Sequence, residues 1–93
     1  MPYRLRYDSR FMHQLERLPG SVRSVASKQI RSLADEPRQA QAKELDRHPS
    51  YYRLWIQRDY RLVYQVDDEA RVVDLLFIGP KSPDLYERLG LER

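Results

Sequence analysis

Five side chains have the types and spacing to act on a phosphate: Arg53, Trp55, Arg61, Lys81 and Tyr86. Arg53 and Trp55 are two positions apart, so on a strand they share a face. A short hairpin can return Arg61 to that face. Lys81 follows Gly79-Pro80 at the end of a third apolar run, and Tyr86 falls in the first turns of a helix predicted to start near Ser82. Fixed cations stabilise charge that develops on a phosphate. The π-faces of Trp55 and Tyr86 can stack on a base, and the free N–H groups of a helix start would add positive potential. Together these are what binding and straining a single-stranded nucleic acid requires. Gln65 on the same face and Lys43 upstream are further candidate nucleic-acid contacts. The alternative is that Arg53 and Arg61 pair with Asp74 and Asp59 as surface ion pairs, which contribute little. Spacing leaves both readings open.

A sheet must aim these residues. Tyr51–Gln57, Asp59–Val66 and Arg71–Gly79 are rich in β-branched and aromatic residues, and short links between them predict an antiparallel meander. A three-residue loop, Gln57-Arg58-Asp59, pairs Leu54 with Leu62, Tyr52 with Tyr64 and Ile56 with Tyr60. That collects one apolar face and leaves Arg53, Trp55, Arg61, Val63 and Gln65 on an open one, with Trp55 across from Arg61. A slip of one residue would reverse every side chain. Such a loop needs a residue in the left-handed region, and Asp59 can supply it. In the second hairpin an even loop, Asp67–Ala70, pairs Val66 with Arg71. It sends Val73, Leu75 and Phe77 to the apolar face and Asp74 to the open face, near Arg61 and Val63. An odd loop would bury Asp74 without a partner, at roughly 1–3 kcal/mol or more.

The rest of the chain covers the apolar face. Pro2–Asp8 alternates as a strand of the same sheet. Asp8-Ser9 caps a short helix over Arg10–Leu18, Pro19-Gly20 breaks it, and Ser21 caps a second helix to about Ala34. Val22, Ala26, Ile30 and Leu33 recur at helical spacing and form the core with Leu54, Ile56, Leu62 and Tyr64. Asp35–Ser50 reads as irregular, with Leu45 as an anchor. Ser82-Pro83-Asp84 has the pattern of a cap, a proline at the first helical position and an acid in the first turn, with Gly90 as a stop. The expected fold is α+β, in the order β-α-α-β-β-β-α, with an antiparallel sheet of about four strands packed on a helical hairpin.

At 93 residues the chain, 1–93, reads as a single domain with one modest core. Charged residues are 33% and hydrophobic ones 41%, a globular balance. No apolar run approaches the ~20 residues of a membrane span, and the N-terminus lacks a signal-peptide core. The absence of cysteine suits a reducing, cytoplasmic setting. The net charge of +3 is compatible with nucleic acid, and fourteen of the seventeen basic residues are arginine, suited to bidentate phosphate contacts. His13 and His48 read as ordinary surface residues. No cofactor is expected, and no metal site, because no histidine, cysteine and carboxylate spacing fits one. Asp67-Asp68-Glu69 reads as a solvated hairpin tip. There is no P-loop, dinucleotide fingerprint or serine–histidine arrangement.

Several runs resemble the RelE/ParE superfamily of bacterial toxins: Tyr52-Arg53-Leu54, then Asp59 through Glu69, Val72-Val73 and Ile78-Gly79, together with Ser9-Arg10-Phe11, Leu15-Glu16-Arg17-Leu18-Pro19 and Asp35-Glu36-Pro37-Arg38. The Tyr-Arg-Leu-Val-Tyr stretch is specific to the superfamily but does not separate its RelE-like ribonucleases from its ParE-like gyrase inhibitors. The resemblance to RelE-like members implies a toxin that cuts mRNA in the ribosomal A site, the RNA 2′-hydroxyl attacking the neighbouring phosphate. By position it implies that Arg53, Arg61, Lys81 and Tyr86 are catalytic. It also implies a cognate antitoxin as partner, expected to be small and acidic, with no membrane association. Alternatives are a toxin directed at DNA gyrase and a non-catalytic nucleic-acid- or protein-binding relative. The chain departs from the RelE-like pattern at Trp55, where a second lysine or arginine is common, and at Lys81, where arginine is commoner.

Overall fold

The structure, a computed structural model, describes residues 2–91. Its elements are β1 (Arg4–Arg6), α1 (Ser9–Glu16), α2 (Gly20–Ser32), β2 (Lys43–Leu45), β3 (His48–Ile56), β4 (Tyr60–Asp67), β5 (Val72–Pro80) and α3 (Leu85–Arg88). The meander is present and the helices cover one of its faces. The sheet has five strands, in the order β1-β5-β4-β3-β2, and it is mixed because β1 runs parallel to β5. The expectation of about four antiparallel strands is corrected on both counts. The added strand, β2, is short and polar, with no alternation from which to infer it. Its turn into β3 is made by Arg47 at φ 65° and its irregularity by Ser50 at φ 73°, where Glu44 accepts the Ser50 N–H at 2.8 Å.

The first hairpin has the expected register: Leu54 opposite Leu62, Trp55 opposite Arg61, Ile56 opposite Tyr60. The left-handed residue of its loop is Gln57, at φ 53°, rather than Asp59. The Asp59 carbonyl instead accepts the Lys81 N–H at 2.9 Å, fixing the end of β5 to the loop.

The second hairpin differs from its expected register. Val66 pairs with Val73 and Asp67 with Val72, and the turn closes through Arg71 at φ 57°. The offset is two residues, so Val73 and Leu75 still face the helices. A bulge then intervenes: Tyr64 pairs with Leu75 but Val63 with Phe77, leaving Leu76 as the extra residue. Past it the faces exchange, so Ile78 joins the core while Phe77 turns to the other side with Val63. The expected core position of Phe77 is therefore corrected. Asp74 does lie opposite Gln65 on the second face, but Arg6 takes it, with Nη2 donating at 2.9 Å.

The core is as expected in composition. Leu54, Ile56, Leu62 and Tyr64 pack against Val22, Ala26, Ile30 and Leu33, joined by Phe11 and Leu18. Asp8 caps α1 through the Phe11 N–H at 3.0 Å. The start of α2 has no side-chain cap; Pro19 precedes it and Ser21 lies inside the helix. Tyr64 donates its hydroxyl to the Pro37 carbonyl at 2.7 Å, and burial pushes its phenol above the ordinary range. Arg38 grips Asp68 with both Nη groups, at 3.0 and 2.8 Å, and donates from Nε to the Tyr52 hydroxyl at 2.8 Å. Tyr3 also donates to Asp68, at 2.6 Å. The hairpin tip expected to be merely solvated thus fastens the long link to the sheet.

α3 is a single turn without a side-chain cap. The Ser82 hydroxyl donates to the Asp84 carboxylate, so the expected cap at Ser82, with Pro83 opening the helix, does not form. Gly90, at φ 75°, ends the turn as expected. Leu85, Tyr86 and Leu91 then bury themselves on Val63 and Phe77. The second face expected to be open is roofed in its middle by this segment.

Two stability measurements check this packing. Leu62 is fully buried, and Leu62→Ala should cost about 2–5 kcal/mol in denaturant unfolding; an unmoved midpoint would contradict the register. Arg38, then Tyr3, hold the Asp68 carboxyl below its ordinary range. A depressed folded pKa gives stability that is present above the unfolded value and lost as pH falls through the folded one. Asp68→Asn should therefore flatten the acid limb of the stability–pH curve while leaving its alkaline limb unchanged.

Candidate active site

The strand register places Trp55, Arg61 and Gly79 side by side on β3, β4 and β5, on the face away from the helices. Arg61 is only 6% exposed. Its Nη1 donates to the Tyr86 hydroxyl at 2.8 Å, and its Cζ lies 4.0 Å from the centre of the Trp55 ring. Lys81 Nζ lies 5.4 Å from the same ring. Arg61 Nε is buried and has no hydrogen-bond partner among the described residues. No ion pair among them involves Arg61, Arg53, Lys81 or Lys43. Of the carboxylates that could have neutralised the arginines, Asp74 is held by Arg6, and Asp59 makes no ion pair with them among the described residues.

Arg61 is a buried residue, against the expectation that it stands on an open face. Three local features bury it. The bulge at Leu76 brings a residue without a side chain opposite it. A Cβ at Gly79 would come within 3.0 Å of the Phe77 ring, so that ring closes over the glycine backbone. The Tyr86 roof completes the enclosure. The indole of Trp55 lies against two cations, Arg61 and Lys81, an arrangement favoured by its quadrupole, and stays 40% exposed.

Of the expected site residues, Trp55, Arg61, Lys81 and Tyr86 converge. Arg53 lies one row along the same face, opposite Val63 on one side and Lys43 on the other, so both flank the cluster. Gln65 is not brought in. It sits beyond Val63, opposite Tyr51 and Asp74, about 7 Å further along the strand and across the apolar row under the roof. His13 is exposed on α1, and His48 packs edge-on against Tyr51. Among the described residues no cluster of histidine and carboxylates could hold a metal ion. Sequence reasoning missed Gly79 and Phe77; a glycine in an apolar strand was the available signal of a close approach.

A buried guanidinium with an unsatisfied N–H, a neighbouring ammonium and a phenol in contact have the charge and donors to take a compact anion. The fold and these residues define the class: the chain belongs to the RelE/ParE superfamily of toxins, and the description "ParE toxin of type II toxin-antitoxin system, parDE" matches it over residues 5–85. The mRNA interferase toxin RelE of Escherichia coli (strain K12) is 33% identical over 83 residues, 88% of this chain and 86% of that protein. Among solved structures, a mutant E. coli toxin RelE in the free state superposes with a TM-score of 0.79 at 29% identity, covering 97% of this chain and 96% of that one. The toxin of the intact E. coli RelBE toxin–antitoxin complex does so at 0.74 and 32% identity, covering 86% and 98%.

Trp55 is the single tryptophan, so its fluorescence reports the cluster. Arg61→Ala should uncover the indole to water and move its emission to longer wavelength by several nanometres. An unchanged maximum would show that the two side chains are not stacked in solution.

Proposed function

We propose that this chain is the toxin of a type II toxin–antitoxin pair and acts as a ribosome-dependent endoribonuclease on mRNA. The observation that carries the proposal is the Arg61 guanidinium, buried with an unpartnered Nε and no carboxylate beside it among the described residues. An uncompensated buried charge is costly, and an anion arriving at it recovers that cost. The relatives named mRNA interferase support RNA as the bearer of that anion.

In the proposed reaction the RNA 2′-oxygen bonds to the adjacent phosphorus as the bond from phosphorus to the 5′-oxygen breaks. A cyclic phosphate and a free 5′-hydroxyl result, and the 2′-proton must leave as the 5′-oxygen gains one. Arg61 is the principal contact to the charge that grows on the non-bridging oxygens. Trp55 positions it. Arg53, Lys43 and Lys81 add cations along the backbone, Lys81 as a point charge without arginine's fork. Lys81 and Tyr86 are the clustered groups that can carry a proton.

A small acidic antitoxin is the proposed partner, consistent with the net charge of +3 and with solved complexes of RelE and RelB. No helix among the described residues is long and apolar enough to cross a membrane; ribosomal mRNA as substrate places the activity in the cytoplasm.

The test is to induce the chain without a partner, mapping mRNA ends on ribosomes and plasmid supercoiling in parallel. Codon-associated cuts with supercoiling intact are expected. Altered supercoiling with intact mRNA would replace this reading with the gyrase-directed one. Arg61→Ala should reduce cleavage about 10²–10³-fold. Arg61→Lys should restore part of it, since charge is kept but the fork is lost.

A further inference from the structure

The row Trp55, Arg61, Gly79 does not stop at β5. β1 pairs only with Val72–Asp74, so beyond Gly79 the sheet has no further strand. In that place a cleft of about 660 Å³ opens between the end of α1, the end of β5 and α3. Lys81 lines it and also lies over Trp55, so the cleft adjoins the Arg61 cluster through this one side chain. Neighbouring strands are about 4.8 Å apart, so the open edge of β5 lies one strand beyond the Arg61 backbone.

Tyr60, Phe77 and Leu18 give the cleft aromatic and aliphatic walls, and Arg17, Lys81 and Arg88 place three cations around them. Gln14 is the fixed polar group. Its Oε1 accepts the Ile78 N–H at 3.1 Å, which settles which end of the carboxamide faces the strand. None of the described groups accepts from its Nε2, which keeps two donors. Apolar walls with one oriented amide are how proteins hold an unstacked base and read its edge.

We propose that this cleft is a nucleobase subsite, holding the base of a nucleotide next to the phosphate at Arg61, with Gln14 reading its edge. The proposal rests on the ribonuclease reading above and deepens it: the chain itself then contributes to the sequence preference of cleavage.

Gln14→Glu is the discriminating variant, because it keeps an oxygen for the Ile78 N–H and replaces the two donors by a second acceptor. Cuts are mapped on ribosome-bound mRNA for the native chain and the variant. In parallel, the four ribonucleoside 5′-monophosphates are titrated into the isotopically labelled chain while the amides of Ile78 and Gly79 are followed. The expected result is a base preference at one position flanking the cut that changes about tenfold in Gln14→Glu, as for a lost amide–base pair. Those two amides should also shift with one nucleotide more than with the others. Cleavage with an unchanged base preference in the variant overturns the subsite and leaves the ribonuclease standing. If the native chain cuts no mRNA, the ribonuclease reading fails, and the titration alone decides: base-selective shifts at Ile78 and Gly79 support the pocket, and equal or absent shifts overturn it.

Discussion

A guanidinium removed from water without a counter-ion must be held by dipoles and π-density alone. Among the described residues Arg61 is in that position, and the second face of this sheet encloses it. The Tyr86 hydroxyl accepts one of its N–H groups and the Trp55 ring covers its plane. Neither contact equals the attraction of a carboxylate, so the site retains a demand for negative charge. A guanidinium satisfied by its own acid would have to release it before taking another anion; this one has no such acid to release among the described residues. The distribution of acids fits. Asp74 is on the same face but at the far side of the apolar row, where Arg6 holds it, and Asp68 is drawn to the opposite end of the hairpin by Arg38.

The helix-facing side of the sheet was legible because its signals agree with one another. Leu54, Ile56, Leu62 and Tyr64 alternate within strands, and Val22, Ala26, Ile30 and Leu33 recur at helical spacing. One choice of loop length brings both sets together. The other face was only half legible. Trp55 and Arg61 followed from the same register, but Leu75-Leu76-Phe77-Ile78 is unbroken apolar sequence, and alternation within it cannot show where a bulge changes the parity. The roof was invisible for a different reason. Leu85, Tyr86 and Leu91 belong to one helical turn and its exit, too short for periodicity to indicate a buried side. β2 had no local signal, since three residues of mixed polarity form a strand only because β3 offers them an edge.

The departures from the RelE-like pattern take on a physical meaning in this arrangement. Where a lysine or arginine would add another positive charge beside Arg61, Trp55 gives a surface on which two cations, Arg61 and Lys81, lie near each other. The ring's negative face offsets part of their mutual repulsion. Lys81 gains a fixed origin as well, because its N–H is bonded to the Asp59 carbonyl at the neighbouring hairpin.

The extra residue at Leu76 also sets how the length of this chain can vary. Removing Leu76 itself would leave every partner in the β4–β5 ladder where it is, with Leu75 against Tyr64 and Phe77 against Val63, and would cost the local bend. Removing Ile78 or Gly79, with Phe77 held against Val63, would draw Pro80 opposite Arg61 and turn every residue after the gap to the other face. Insertions and deletions in β5 are therefore not equivalent: the bulge absorbs the loss of one residue, and the strand beyond it does not. A related chain one residue shorter in this strand keeps a glycine opposite its buried arginine when the gap falls at the bulge.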